Sequence, residues 1–325
     1  MKQILITGGA GFIGSHLADT LLARGHRVTV VDNESAGSPD NLQAAGRHFD
    51  FQYVRGAVED RPLMRELLAD VDEVYHLAAP EGVERLARLP ARVIQKQWRA
   101  LDGLVSEMAR RHKSGPPVKW FFASSGDVYG CRSSDSFSED EPLSFGPVSD
   151  VGQAAGASKA LGEFLALAAQ RQHGLPVIIG RLFNVAGPRQ SARWGKVVPR
   201  LVSCALEGRA PVVHDDGGQT RAFLHVADAC EAIADLMENG TVTGNVFNIG
   251  GERPISIFQL AERVVAAVDA KLDIEFESYR NTYGEGFAAV RHRMADLTRL
   301  KQTIHFAPQH DLDVIVTEVI EWLRA

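Results

Sequence analysis

The sequence predicts an α/β fold, a doubly wound parallel sheet with a smaller C-terminal α/β lobe. Three observations carry this. Short β-rich apolar runs alternate with segments of helical spacing over the first 185 residues, the pattern of strands joined by helical crossovers. The first run passes at once into a glycine-rich turn and then a helix. Beyond residue 185 the texture shifts to short elements, loops and isolated prolines.

In chain order, "QILIT" is a strand, "GGAGFIG" a turn, "SHLADTLLARGH" a helix and "RVTVVD" a second strand. Such a βαβ unit runs parallel and right-handed. "FQYVRG" and "EVYHLAA" read as strands, "LVSEMARRH" as a helix, and "VKWFFASS" as a strand entering a loop. "SKALGEFLALAAQRQHG" is a long helix and "PVIIGRLFNV" a buried strand. Further on, "FLHVADACEAIADLM" and "NVFNIGG" are expected to return to the sheet. A sheet domain over 1–185, with returns near 222–250, would then interleave with a substrate-binding lobe over 186–325.

Composition narrows the function. Apolar residues make up 45% and charged residues 23%, as in soluble globular chains. A net charge of −6 offers no basic field, which argues against nucleic acid. Cys131, Cys204 and Cys230 are odd in number and scattered. Neither a disulfide framework nor a metal site is expected from them, and a reducing cytoplasm suits them. No apolar run approaches the roughly 20 residues that span a bilayer, so no membrane partner is expected. The first residues read as a strand and its turn, not as a secretory signal.

Gly8, Gly11 and Gly14 stand in G-x-x-G-x-x-G spacing between a strand and a helix, and Asp32 ends the next strand. Glycines so placed let the backbone close on a pyrophosphate at the helix N-terminus, where free N–H groups and the dipole favour anions. Asp32 would accept hydrogen bonds from an adenosine ribose and repel a 2′-phosphate, so NAD is expected over NADP. The first domain is therefore read as a Rossmann-type NAD-binding domain.

Nine motifs, "TGGAGFIGSHL", "VVDNESAGSPDNL", "VYHLAA", "SSGDVYG", "GASKALGE", "RLFNVAGPRQ", "GQTRAFLHVADA", "FNIGG" and "VRHRMADL", then follow in order. Over nearly the whole chain they resemble the extended short-chain dehydrogenase/reductases that epimerise, dehydrate or decarboxylate nucleotide sugars. The resemblance implies Phe12, Ile13, Asn33, Ala57, Val58, Leu77, Ala78 and Ala79 as further cofactor contacts, with Lys159 on the nicotinamide ribose. It implies Ser124, Ser125, Asn184, Val198, His214, Arg221 and Arg291 as contacts of a nucleoside-diphosphate sugar, a UDP-sugar first. The two arginines would clamp the diphosphate bidentately. A homodimer through a four-helix interface, built partly from the helix of Lys159, is implied as well.

One position breaks the pattern. In the family a Ser or Thr, a Tyr and a Lys share the chemistry: the tyrosinate takes a proton from a sugar hydroxyl while hydride leaves for the nicotinamide. Ser125 and Lys159 match two of the three. Ala155 stands at the tyrosine position, four residues before Lys159, and a methyl group carries no proton. Tyr129 belongs to the strand-end motif and is assigned to packing. Asp127 lies where family dehydratases and decarboxylases tend to have an acid, and burial beside a cofactor is expected to raise its pKa. Ala57, Trp98 and Ala222 also depart from the family pattern. Three readings stay open: an enzyme working through Asp127, Ser125 or a water; an NAD- and sugar-nucleotide-holding pseudoenzyme; and a family enzyme disabled at 155, as by a Tyr-to-Ala exchange made to trap a substrate. Asp127 leans toward dehydration or decarboxylation, whereas "VVDNESAGSPDNL" and "VRHRMADL" lean toward 4-epimerisation.

Overall fold

Seven strands form one parallel sheet in the computed structural model, which describes residues 1–80, 83–194, 196–283 and 290–325. They are β1 (Gln3–Thr7), β2 (Arg27–Asp32), β3 (Phe51–Arg55), β4 (Glu73–His76), β5 (Lys119–Ser125), β7 (Val177–Leu182) and β12 (Asn245–Ile249). Their order is β12-β7-β5-β4-β1-β2-β3, with every neighbouring pair parallel. The chain thus winds outward from β1 in both directions. The gap between β1 and β4 is the switch point at which such sheets bind ligands.

The two-residue period of the strands sorts their side chains into two cores. Ile4, Ile6, Val28 and Val30 face α1 (Phe12–Ala23) and α7 (Val226–Glu238). Leu5, Val31, Val74 and Trp120 face α4 (Pro90–His112) and α5 (Ala154–His173). Helices on both faces require both strand faces to be apolar, which is why these strands read as continuous apolar runs. A third core joins α6 (Val197–Leu206), α8 (Ile257–Val268) and α11 (Leu312–Arg324) through Leu201, Leu260, Val264 and Ile315. Shorter helices are α2 (Arg61–Leu67), α3 (Val83–Arg88), α9 (Tyr279–Tyr283) and α10 (Thr298–Thr303). The remaining strands pair in twos: β6 (Ser134–Phe137) with β15 (Arg293–Ala295), β8 (Val185–Ala186) with β11 (Leu224–His225), β9 (Val212–His214) with β14 (Glu275–Glu277), and β10 (Thr220–Ala222) with β13 (Pro254–Ser256).

Two elements differ from expectation. Residues 245–249 do return to the sheet, beside β7. The extended part of "FLHVADACEAIADLM" instead pairs with β8 outside the main sheet, and what comes back is α7, packed on α1. The helix expected at "LVSEMARRH" begins far earlier, at Pro90. Proline is at home in a first turn, and Val93, Gln97, Ala100 and Leu101 face inward at helical spacing among charged residues that mask it. Among the described residues no helix is long and apolar enough to cross a membrane.

Candidate active site

A cleft opens at the carboxyl ends of the parallel strands. Its volume is about 1000 Å³, at the upper end of the range for a single small-molecule pocket. Of the candidate site residues named from the sequence, all but Ala57 and Arg291 line it. Among the described residues, nine lysines and arginines line it against three carboxylates, Asp32, Glu59 and Asp127. In a chain of net charge −6, such an excess of cations selects anionic ligands.

The glycine turn after β1 forms one end. Gly8 has φ +73°, and a Cβ there would stand 2.7 Å from the backbone of Ala78. A Cβ at Gly14 would stand 2.4 Å from the Gly8 carbonyl oxygen. Any side chain at either position would fill the cradle or push α1 away. Gly11 is the N-cap of α1 and no side chain caps it, so the first-turn N–H groups face outward as an anion site.

Asp32, 8% exposed, braces this cradle. Its Oδ2 accepts from the Ala10 N–H at 3.1 Å and its Oδ1 from the Glu34 N–H at 2.7 Å. Burial raises its pKa, and these backbone donors partly oppose the rise. Gln97 is a cofactor candidate not singled out from the sequence, where its neighbour Trp98 is named only as a departure from the family pattern. It lines the cleft at 7% exposure, and its Nε2 has no hydrogen-bond partner among the described residues. Glycine cradle, uncapped helix, buried carboxylate and orphaned amide together fit a dinucleotide.

At the other end Ala155 and Lys159 lie one turn apart on α5. Lys159 Nζ donates to the Ala123 carbonyl at 2.6 Å and sits 5.1 Å from the Phe122 ring centroid. Ser124 lines the cleft, but its hydroxyl donates to the buried Glu163, which also pairs with Arg181. Tyr129 is fully buried, its hydroxyl held by Asn248 and Arg181. Ser125 Oγ donates to Asp127 Oδ2 at 3.1 Å. Arg293, on β15, completes the cluster with an ion pair to Asp127 and a 2.8 Å hydrogen bond to the Gly130 carbonyl.

That arginine overturns the expectation for Asp127. Burial alone would push its carboxyl upward, but the Arg293 guanidinium, the Ser125 hydroxyl and the more distant Lys196 and Arg221 outweigh it and hold the pKa below the usual range. Asp127 is therefore a firmly ionised carboxylate.

The diphosphate clamp also differs from expectation. Arg221 lines the cleft, its guanidinium aimed by the carbonyls of Thr220 at 2.7 Å and Val290 at 2.8 Å. Arg291 instead pairs with Asp216 at 3.0 Å on the surface, its side chain 60% exposed. Two residues along, Arg293 enters the cleft; it opens β15, whereas Arg291 lies before that strand and outside its two-residue period. The alternating arginines of "VRHRMADL" were the available signal. His214 lies in the wall, its pKa lowered by burial and then by Arg200. Asn184 lines the cleft with a left-handed backbone, φ +42°.

This fold and site define a dinucleotide-dependent enzyme. The chain belongs to the NAD-dependent epimerase/dehydratase family, whose model matches residues 4–250, and NAD is its cofactor. It is 35% identical over 325 residues to the UDP-N-acetyl-α-D-glucosaminuronate decarboxylase of Bacillus cytotoxicus, covering 99% of this chain and 98% of the relative. It is 33% identical over 311 residues to UDP-glucuronic acid decarboxylase 5 of Arabidopsis thaliana, covering 94% and 85%. A UDP-N-acetylglucosamine 4-epimerase from Methanobrevibacter ruminantium, solved with UDP-N-acetylmuramic acid, matches with a TM-score of 0.87 at 28% identity, covering 99% of this chain and 98% of that one.

Proposed function

We propose that the chain decarboxylates a nucleoside-diphosphate uronic acid, a UDP-uronate first, at the Arg293 end of the cleft. Arg293 carries the reading. It is a cation fixed by Asp127 and Gly130, and its buried Nε–H lacks a partner among the described residues. A sugar carboxylate is the anionic group that a guanidinium on the cleft wall would hold. Two relatives named for uronate decarboxylation, alike over nearly the whole chain, support the choice.

NAD, which the glycine turn and Asp32 would hold, would supply a reversible hydride acceptor for the sugar C4. Arg221 holds the diphosphate and Lys159 the nicotinamide ribose. Ser125, hydrogen-bonded to Asp127, receives the C4 hydroxyl proton. Arg293 orients the C6 carboxylate, which is β to the new C4 ketone and leaves as carbon dioxide. The electron pair of the broken C5–C6 bond passes to the C4 oxygen, where Ser125 donates a hydrogen bond. The proton that Ser125 and Asp127 took from the C4 hydroxyl then goes to C5, and a solvent proton completes the C4 hydroxyl when the hydride returns. A depressed Asp127 is a weak base and no phenol stands at 155. Turnover is therefore slow, about 10²- to 10⁴-fold below that of a tyrosine-bearing relative.

Incubating the purified protein with NAD and UDP-glucuronate or UDP-N-acetylglucosaminuronate tests this. Release of carbon dioxide with formation of the pentose product is expected. Intact uronates beside isomerised neutral UDP-sugars would replace decarboxylation by epimerisation. Ala155 favours a second reading, binding without turnover, which predicts tight NAD and UDP-uronate binding with no product at any enzyme concentration.

We further propose that two copies pair through α4 and α5. Ile94 and Trp98 lie one turn apart on α4, Leu161 and Phe164 nearly so on α5, and all four are exposed, Phe164 by 68%. The two helices pack side by side, so their outer faces bring these four side chains toward one apolar surface of the kind that marks an interaction site.

A further inference from the structure

Outside the catalytic cleft, one stretch concentrates positive charge. Arg85, Arg88, Arg92, Lys96 and Arg99 follow one another at intervals of three, four, four and three residues, the spacing of a single helical face. Arg88 ends α3, and Arg92, Lys96 and Arg99 occupy successive turns of α4. Their surface is concave. A pocket of about 700 Å³ is lined by Arg88, Arg92, Gln95, Lys96 and Arg99, with residues 89–91 completing its wall and no carboxylate among its described lining residues.

Several surface cations elsewhere are neutralised by carboxylates. Arg24 meets Glu231, Asp235 and Glu238, while Arg65 and Arg110 share Glu107. Among the described residues none of Arg88, Arg92, Lys96 and Arg99 pairs with a carboxylate. Like charges at these spacings repel along a helix. Arg92 stands in the first turn of α4, which contains no acid, where a cation opposes the helix dipole. Four like charges around one concavity repel one another, and an anion lying among them relieves that repulsion.

We propose that this pocket is a second anion site, taking the polyphosphate group of a small ligand. The concavity has small-molecule dimensions, and the net charge of −6 disfavours an extended polyanion such as nucleic acid. Its position couples it to the cofactor. Lys96 lines both the pocket and the catalytic cleft. Arg85 donates to the Ser35 carbonyl at 2.9 Å, in the loop that follows Asp32. An anion in the pocket therefore acts on the wall beside the adenosine half of the cleft.

The test uses the full chain with its catalytic cleft saturated by NAD and UDP, titrated calorimetrically with inorganic tripolyphosphate. One-site binding is expected, weakened about tenfold or more between 20 and 200 mM salt, because exposed charges are screened over such a range. Arg92→Gln/Arg99→Gln is expected to weaken it a further tenfold or more. NAD affinity and the circular dichroism spectrum should stay unchanged. Arg88→Gln alone, placed outside α4, should weaken binding several-fold and guards against a folding defect in the double variant. Tighter binding of UTP or ATP than of tripolyphosphate identifies a nucleotide as the source, and equal binding identifies free polyphosphate. Absence of binding with the cleft saturated, or equal binding by wild type and both variants, overturns the proposal.

Discussion

Ala155 removes the proton acceptor that would stand one turn from Lys159, and the neighbouring residues set what remains. Lys159 keeps its place on the Ala123 carbonyl, so the ammonium that would lower a phenol pKa is still there. Ala155→Tyr should therefore raise kcat about 10²-fold or more with little change in KM, since a positioned base acts on the chemical step. Steady-state kinetics on a UDP-uronate checks this, and an unchanged kcat removes tyrosine loss as the cause of slow turnover. Arg293 acts at the other end of the sugar. Arg293→Lys keeps the charge but loses the planar fork. KM for the uronate is expected to rise about tenfold, the size of one charge-assisted hydrogen bond, while NAD affinity stays as it was. An unaltered KM would show that the carboxylate lies elsewhere. Asp127, held by Arg293, keeps its charge to a lower pH than an ordinary aspartate does.

The glycine turn and α1 act as one element, because Gly14 lies against Gly8. Gly14→Ala would set a methyl group 2.4 Å from the Gly8 carbonyl oxygen, and α1 must shift to admit it. A loss of about 1–3 kcal/mol in stability is expected from such overpacking, with NAD affinity down at least tenfold in a direct titration. Normal NAD affinity would mean that the cradle tolerates side chains. At the α4–α5 face, Phe164→Glu should turn a dimer into a monomer in light scattering while leaving the circular dichroism spectrum intact. A wild-type protein that is already monomeric at micromolar concentration sinks the pairing. What could be read from sequence follows the range of the forces involved. The glycine turn, Asp32 and the apolar strands are set by neighbours a few residues away, and their motif shows on the page. Arg293 meets Asp127 across 166 positions of chain. Only the pairing of β15 with β6 brings them together, so neither the ion pair nor the lowered Asp127 pKa could be read from spacing. The early start of α4 was hidden for another reason: its inward residues are few among charged ones.

Across the whole molecule, two buried histidines that must stay neutral set how stability depends on pH. His16, on α1, donates from Nε2 to the Pro188 carbonyl at 3.0 Å, joining the sheet domain to the loop after β8. Burial first, and then the Arg189 charge, lower its pKa to about 4. His76, at the end of β4, is 2% exposed and bonded to Thr7 at 2.8 Å. Burial and then Lys159 lower its pKa to about 3. Both folded values lie below the ordinary 6.5, so between 6.5 and those values the unfolded chain binds protons that the folded chain refuses. Their contribution is complete above about pH 6.5 and is lost as the pH falls through the unfolded value toward the folded ones. Each pH unit in that window is worth about 1.4 kcal/mol per histidine. Urea unfolding at pH 7.5 and pH 5 should therefore differ by roughly 2 kcal/mol for each, about 4 kcal/mol in all. His26, His214 and His225, also lowered chiefly by burial, add in the same direction. His16→Gln, which keeps an N–H donor and cannot titrate, should remove its own share of that difference, and a wild-type midpoint flat between pH 7.5 and 5 would show that these imidazoles take up protons without unfolding.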